Sequence, residues 1–200
     1  MRIIHSGDWH LGKSLRGKHR GSEHEAVLQE FLDYARREPL DLLLLAGDVF
    51  DTSTPSAEAE GLFYRFLIEL RATGCAVVVI AGNHDGASRF EALTPLLAKI
   101  GVQVRHEPTT AEQGAILRIP SRDNSEIAVV ACLPFPHERQ VNYVDCFSRG
   151  DISPHDAYTR RVGAYLQTLG ESFDPEAVNL VIAHLMMDGG RVGGGERAYT

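Results

Sequence analysis

Residues 75–86 read CAVVVIAGNHDG. Cys75 to Ala81 is an apolar run suited to a strand buried on both faces of a sheet. A carboxamide, an imidazole and a carboxylate (Asn83, His84 and Asp85) follow at once, between Gly82 and Gly86. The same order, an apolar run and then side chains able to hold an ion, recurs three times: IIHSGDWH at 3–10, LLLLAGDVFD at 42–51 and NLVIAH at 179–184.

The segments between these runs read as helices. Ser22-Glu23-His24-Glu25 has the capping-box pattern and opens a helix to about Glu38, where Pro39 stops it. Ser56 caps a second helix, with Gly74 just past its end. Ser88 and Glu91 mark a third, to about Ile100. The pattern then changes. Val102–Arg105, Ala115–Ile119 and Ile127–Cys132 read as strands without long helices between them, and Asp123-Asn124 as a hairpin turn. Ser153-Pro154 sets an N-cap with proline at N1, before a helix to about Leu169. Apolar strands alternating with helices predict a mostly parallel sheet covered on both faces; the later cluster predicts a second, mixed sheet packed on the first. In such α/β folds, sites form at the carboxyl ends of the strands.

Bulk composition narrows the class. An apolar fraction of 44% with 24% charged residues is that of a soluble globule able to bury a core without staples. The net charge of -7 argues against a globally basic nucleic-acid binder and leaves room for a local basic patch. Cys75, Cys132 and Cys146 are odd in number and form no CxxC, so neither a disulfide framework nor a zinc knuckle is expected. The N-terminal apolar run is too short for a signal sequence. These features predict a cytoplasmic protein with reduced thiols.

The strand ends collect Asp8 and His10, Asp48, Asn83 and His84, and His184. Asp8 and His10 are two apart, which in an extended chain puts both on one face. Two carboxylates, a carboxamide oxygen and imidazoles, without thiolate, favour manganese, iron or zinc over magnesium or calcium. The set is large enough for two ions, with Asp48 as the candidate bridge. Two divalent cations against two carboxylates leave a net positive site that suits a phosphate. His84 would then point at the scissile group as a catalytic histidine. Asp85, and after it Asp51, are candidates for orienting imidazoles. Singly, an Asp after a strand is ordinarily a turn residue or cap, and His184 an ordinary core histidine; together they mark a site. His5, His19, His24, His106, His137 and His155 lack this context and are read as structural. Trp9 is read as packing. The glycines at 189–195 are followed by no GK[ST] and form no phosphate loop.

GDxH, GDxxD, GNHD and a strand ending in histidine, in that order, resemble the calcineurin-like metallophosphoesterase superfamily. GDWHLGK, LLLLAGDVFD, AGNHD, LPFP and AHLMMDGG are similar to its DNA-nuclease branch along nearly the whole chain. The resemblance implies a four-layer α/β/β/α sandwich with two mixed, mostly parallel-cored sheets. It implies a manganese-dependent double-strand exonuclease and single-strand endonuclease acting in DNA repair, recombination and replication. Its implied partners are DNA, a second copy of the chain and an SMC-like ATPase subunit. Position by position, Asp8 and His10 match ligands of the first metal and Asp48 the bridge. Asn83 and His184 match ligands of the second metal, and His84 the catalytic histidine. The family pattern closes with a GHxH motif, one histidine per ion, which does not occur before Thr200. Residues 1–200 are therefore expected to be the N-terminal portion of the nuclease domain, with the capping domain and the ATPase-binding segment absent.

Two features bear on substrate and assembly. LGKSLRGKHRG (11–21) carries Lys13, Arg16, Lys18 and Arg20 without an acid, directly after the first candidate loop; such a segment suits a nucleic-acid backbone. Arg89 is a second candidate phosphate contact. Leu62, Phe63, Phe66, Leu67, Leu93, Leu96 and Leu97 are more apolar surface than one sheet face needs, and the family resemblance implies a dimer through these helices. Two other readings stay open: a phosphoesterase acting on a small molecule or phosphoprotein, and an inactive fragment that only folds or binds. Turnover of nitrophenyl phosphate without DNA cleavage would favour the former. With one histidine missing per ion, the 200-residue chain is expected to bind metal poorly and cleave DNA weakly or not at all; anomalous diffraction after a manganese soak should find one ion or none.

Overall fold

The computed structural model describes residues 1–136 and 154–185, except the side chains of 154–157. The elements run β1 (Ile3–Ser6), β2 (Ser14–Leu15), β3 (Lys18–His19), α1 (Gly21–Arg37), β4 (Leu42–Ala46), α2 (Ala57–Ala72), β5 (Ala76–Ile80), α3 (Ala87–Lys99), β6 (Val102–Arg105), β7 (Ile116–Pro120), β8 (Ile127–Leu133), α4 (Pro154–Gly170) and β9 (Val178–Ala183).

Strands β1, β4, β5 and β6 form one sheet in that spatial order, all parallel, in registers Ile3↔Leu42, Leu42↔Ala76 and Val77↔Val102. Each strand is reached from the one before it through a helix, and right-handed crossovers that advance in one direction place all three helices on one face. The strands lack polar alternation because both faces are covered. Leu43, Leu45, Val77, Val79, Val102 and Val104 meet α1–α3, while Leu42, Leu44, Ala46, Val78 and Ile80 face the other way. There they meet Leu117, Ala128, Val130, Cys132 and Ile182 of a second sheet, ordered β7-β8-β9. The far side of that sheet, through Ala131 and Leu133, packs on Tyr165 and Leu169 of α4. The result is a four-layer α/β/β/α sandwich.

The apolar strands predicted a mostly parallel first sheet, and the family resemblance implied two mixed ones. Over the described residues only the second is mixed: β7 and β8 are antiparallel, β8 and β9 parallel. The antiparallel pair turns at Asp123-Asn124, where Asn124 takes φ 58° and the Asp123 carboxylate accepts from Ser125 N. Ser56 caps α2 as expected, accepting from Ala59 N at 3.2 Å, and Gly74 follows its end at φ 89°. Ser22 and Ser88 do not cap. Helix α1 starts two residues earlier, with Arg20 at the cap position and its guanidinium on Glu23 at 2.7 Å. Gly86 caps α3, so Ser88 lies inside the first turn. Ser153 lies outside the described residues.

Most of the apolar surplus on α2 and α3 is consumed within the chain. Phe63, Phe66, Leu67 and Leu97 are buried, Leu62 and Leu93 pack against that core, and of the seven only Leu96 is largely exposed, at 61%. Trp9 and Phe50, on the loops after β1 and β4, extend the sheet face. Trp9 stands edge-on to Phe66 at 5.2 Å, Phe50 to Phe63 at 5.4 Å, and Phe31 of α1 to Phe66 at 5.4 Å. Phe66→Ala should therefore cost about 3–5 kcal/mol, read as a lower urea midpoint at unchanged m-value.

Candidate metal centre

The loops leaving β1 and β4 stay paired beyond the sheet. Asp8 N donates to Gly47 O at 3.0 Å, His10 N to Asp48 O and Leu11 N to Val49 O, both at 2.9 Å. This pairing is not extended chain. Asp8, His10 and Asp48 adopt φ of 55°, 46° and 48°, in the left-handed region. Non-glycine residues there cost on the order of 1–3 kcal/mol each, and such strain clusters at functional sites. The expectation that Asp8 and His10 share a face through strand alternation is thus corrected: the left-handed turns aim them.

The side chains named from the sequence do come together. The donor atoms of His10, Asp48 and His84 all lie within 4.8 Å of one another, as do those of Asp8, Asp48 and His184. Asp48, 3% exposed, belongs to both groups. Its Oδ2 is 3.7 Å from His10 Nε2 and its Oδ1 3.6 Å from His184 Nε2. Asn83 Oδ1 joins the second group, 3.0 Å from His184 Nε2. His184 Nδ1 donates to Ala46 O at 2.8 Å, which leaves Nε2 with a lone pair facing the Asn83 oxygen. A cation drawing on both atoms relieves that opposition, so the donor set fits a divalent transition ion. His84 stands edge-on to His10 with ring centroids 4.9 Å apart, and its Nδ1 donates to Asp51 O at 2.8 Å. Burial, then the Lys13 charge, hold His10 below the usual imidazole range and keep it neutral.

Two glycines make the close approach possible. A Cβ on Gly82 would run into the Asp48 carboxylate, and one on Gly47 into the His184 ring. Asp85 does not orient an imidazole, as its place in the sequence had suggested. Buried at 6% exposure, it accepts from Gly82 N at 2.8 Å, Phe50 N at 3.0 Å and Val49 N at 3.2 Å, and so clamps the β4 and β5 loops together. Burial pushes its carboxyl up, and the three N–H donors pull it back. Arg89 is engaged elsewhere, with Nε and Nη2 on Glu60 at 2.6 and 2.7 Å. The basic 11–21 segment is a hairpin, β2–β3, with Arg16 and Gly17 both at positive φ as its twisted turn requires. Exposed Arg16 and Lys18 project from it.

His24 was read as structural. It is half-buried on the first turn of α1, its Nδ1 has no hydrogen-bond partner, and its pKa is lowered by burial and by Arg20. Helical position alone carried no signal of this. Cys75 and Cys132 are buried free thiols, pushed up by burial to about 11 and about 12; Cys146 lies outside the described residues. No helix among the described residues is long and apolar enough to cross a membrane.

The sequence profile of the calcineurin-like phosphoesterases matches residues 1–198, and the chain belongs to that family. Within it, the chain is similar to proteins named as the SbcD subunit of the nuclease SbcCD. That of Bacillus subtilis is 36% identical over 209 residues, covering all of this chain and 52% of the relative. That of Escherichia coli K12 is 38% identical over 141 residues, covering 70% of this chain and 34% of the relative. That of Staphylococcus epidermidis is 29% identical over 204 residues, covering all of this chain and 50% of the relative. The chain thus spans about half the length, or less, of these relatives.

The clamp makes its own prediction. Asp85→Asn turns an amide N–H₂ toward backbone donors and should cost about 1–3 kcal/mol. Hydrogen exchange at Val49, Phe50 and Gly82 should quicken more than at the centres of β4 and β5.

Proposed function

We propose that this chain carries the catalytic centre of a DNA nuclease subunit that hydrolyses phosphodiester bonds with two divalent ions, manganese in our reading. The observation that carries this is the Asp48 carboxylate, whose two oxygens face two separate donor groups. Asp8, His10 and Asp48 would hold one ion, and Asp48, Asn83 and His184 the other. Such a pair of ions supplies Lewis-acid activation of a water and charge stabilisation for the leaving oxygen.

The chain's own residues do the rest. Asp48 sets the spacing of the two groups. The Ala46 carbonyl fixes the His184 tautomer that presents Nε2. His84, held by the Asp51 carbonyl at Nδ1, is placed to pass an Nε2 proton to the leaving oxygen, ending as the tautomer that carbonyl already binds. The β2–β3 hairpin carries Lys13, Arg16 and Lys18 beside the centre, which suits a polyanionic backbone better than a small phosphate ester.

By the name the relatives carry, that of an SbcCD nuclease component, the substrate in this reading is DNA and the partner an SbcC-type SMC-like ATPase. We assign double-strand exonuclease and single-strand endonuclease activities in repair and recombination, and a cytoplasmic location. Leu96 on α3 and Ile68 on α2, both largely exposed, are the apolar residues this region offers a homodimer contact.

One observation favours a second role for His84: it shares a donor group with His10 and Asp48. The two roles separate cleanly. As an acid, His84→Gln in the full-length gene product should keep wild-type manganese content while cleavage of linear DNA falls roughly 10²-fold or more. Loss of metal from that variant would make His84 a ligand. Asp48→Asn should lose metal in either case. Absence of manganese-dependent DNA cleavage in the wild type, with nitrophenyl phosphate still turned over, would overturn the nuclease reading.

A further inference from the structure

Asp51 stands where three parts of the site meet. Its Oδ1 lies 3.2 Å from His10 Nδ1 and 3.6 Å from Lys13 Nζ. Its carbonyl accepts from His84 Nδ1 at 2.8 Å, and its N–H donates to Leu11 O at 3.2 Å. His10 Nδ1 is buried and makes no hydrogen bond, although this Asp51 oxygen is close by. The other nitrogen of that ring, Nε2, faces Asp48.

An imidazole that binds a cation through Nε2 carries its proton on Nδ1, and that N–H needs an acceptor to fix the ring and raise its basicity. The Asp51 carboxylate is the acceptor that the described residues place in reach. Lys13 holds the same oxygen. An ammonium there weakens the carboxylate as an acceptor and adds positive charge beside the cation. Lys13 is also the first basic residue of the β2–β3 hairpin, which reaches out to solvent.

We propose that Asp51 is a positioning residue that couples the hairpin to the metal centre, its carboxylate divided between Lys13 and the Nδ1–H of His10. When an external phosphate draws Lys13 away, the carboxylate turns wholly to His10 and the cation is held more tightly. By linkage, a bound cation strengthens the hold on the phosphate to the same degree. The inference rests on the reading of His10 as a ligand.

The test is a manganese titration of the full-length gene product, followed by the electron paramagnetic resonance of the free ion, with and without a phosphorothioate oligonucleotide. Melting in EDTA reports folding separately. Asp51→Asn should weaken manganese binding roughly 10–100-fold at an unchanged EDTA melting temperature. Lys13→Met, which keeps the stem, should tighten it several-fold. The oligonucleotide should tighten binding in the wild type and do little in either variant. Nitrogen-15 NMR of the metal-free protein should find His10 protonated at Nδ1 in the wild type. Wild-type affinity in Asp51→Asn, or an oligonucleotide effect undiminished in Lys13→Met, would overturn the coupling. If Asp51→Asn melts early, the Lys13→Met comparison decides alone. A wild type that binds no manganese would instead bring down the metal-centre reading, and the coupling with it.

Discussion

The Asp85 carboxylate, buried among three backbone N–H groups, is the contact on which the rest of the centre depends. The loops after β4 and β5 leave adjacent parallel strands and would diverge toward solvent. The Asp85 carboxyl group beneath them takes two donors from one loop and one from the other. With the loops held, Asp48 lies against Gly82, and its Oδ1 accepts from His84 N at 2.9 Å. The β1 loop is tied in turn through its backbone bonds to residues 47–49. One buried carboxyl group thus sets the spacing of three strand ends. It is tolerable because N–H donors surround it; without them, burial of the same group would cost several kcal/mol.

Rigidity at this spot has a chemical reason. The loops after β1 and β4 hold Asp8, His10 and Asp48 in left-handed backbone, a conformation that L residues adopt only at a cost. The strain persists because apolar packing over-determines the loops. Leu11, Val49 and Phe50 are buried on the core side, and Trp9 is wedged edge-on against Phe63 and Phe66 with its Nε1 donating to Ser6 at 2.8 Å. The apolar residue between two polar ones in GDWH anchors the loop, and the polar ones are left to face the site. Preorganisation of this kind is what metal-assisted hydrolysis needs, since donors already in place need no reorganisation when charge develops.

The fold is that of the calcineurin-like phosphoesterases; the surroundings of the donor group add a local charge pattern. A hairpin without an acid stands beside the centre of a chain whose net charge is -7, so the positive field is local. Arg89 is committed to Glu60, which leaves the hairpin as the basic element beside the site among the described residues.

Much of this was legible in the order of residues. LLLLA and AVVVI lack alternation, so both faces had to be covered, and the strand ends collected ligand-type side chains beyond ordinary turn use. That determined the layered α/β class, the parallel sheet and the six side chains that the fold brings together. Cap positions were less legible: Ser22 and Ser88 have the right pattern, but Arg20 and Gly86 start the helices, because packing of the helix on the sheet outweighs a single side-chain bond. The apolar surplus on α2 and α3 read as an interface, and much of it is taken up inside the chain by Trp9 and Phe50 on the loops after β1 and β4, which fill the same layer. The pairing of donors was invisible for a like reason. His10 and His84 meet because the parallel strands β1, β4 and β5 end at one edge of a sheet, and Asn83 and His184 because β9 of the second sheet packs against the first; left-handed turns aim Asp8, His10 and Asp48. Residue type was written locally, and direction was decided by contacts between residues as many as 138 apart, as in the bond from His184 to Ala46.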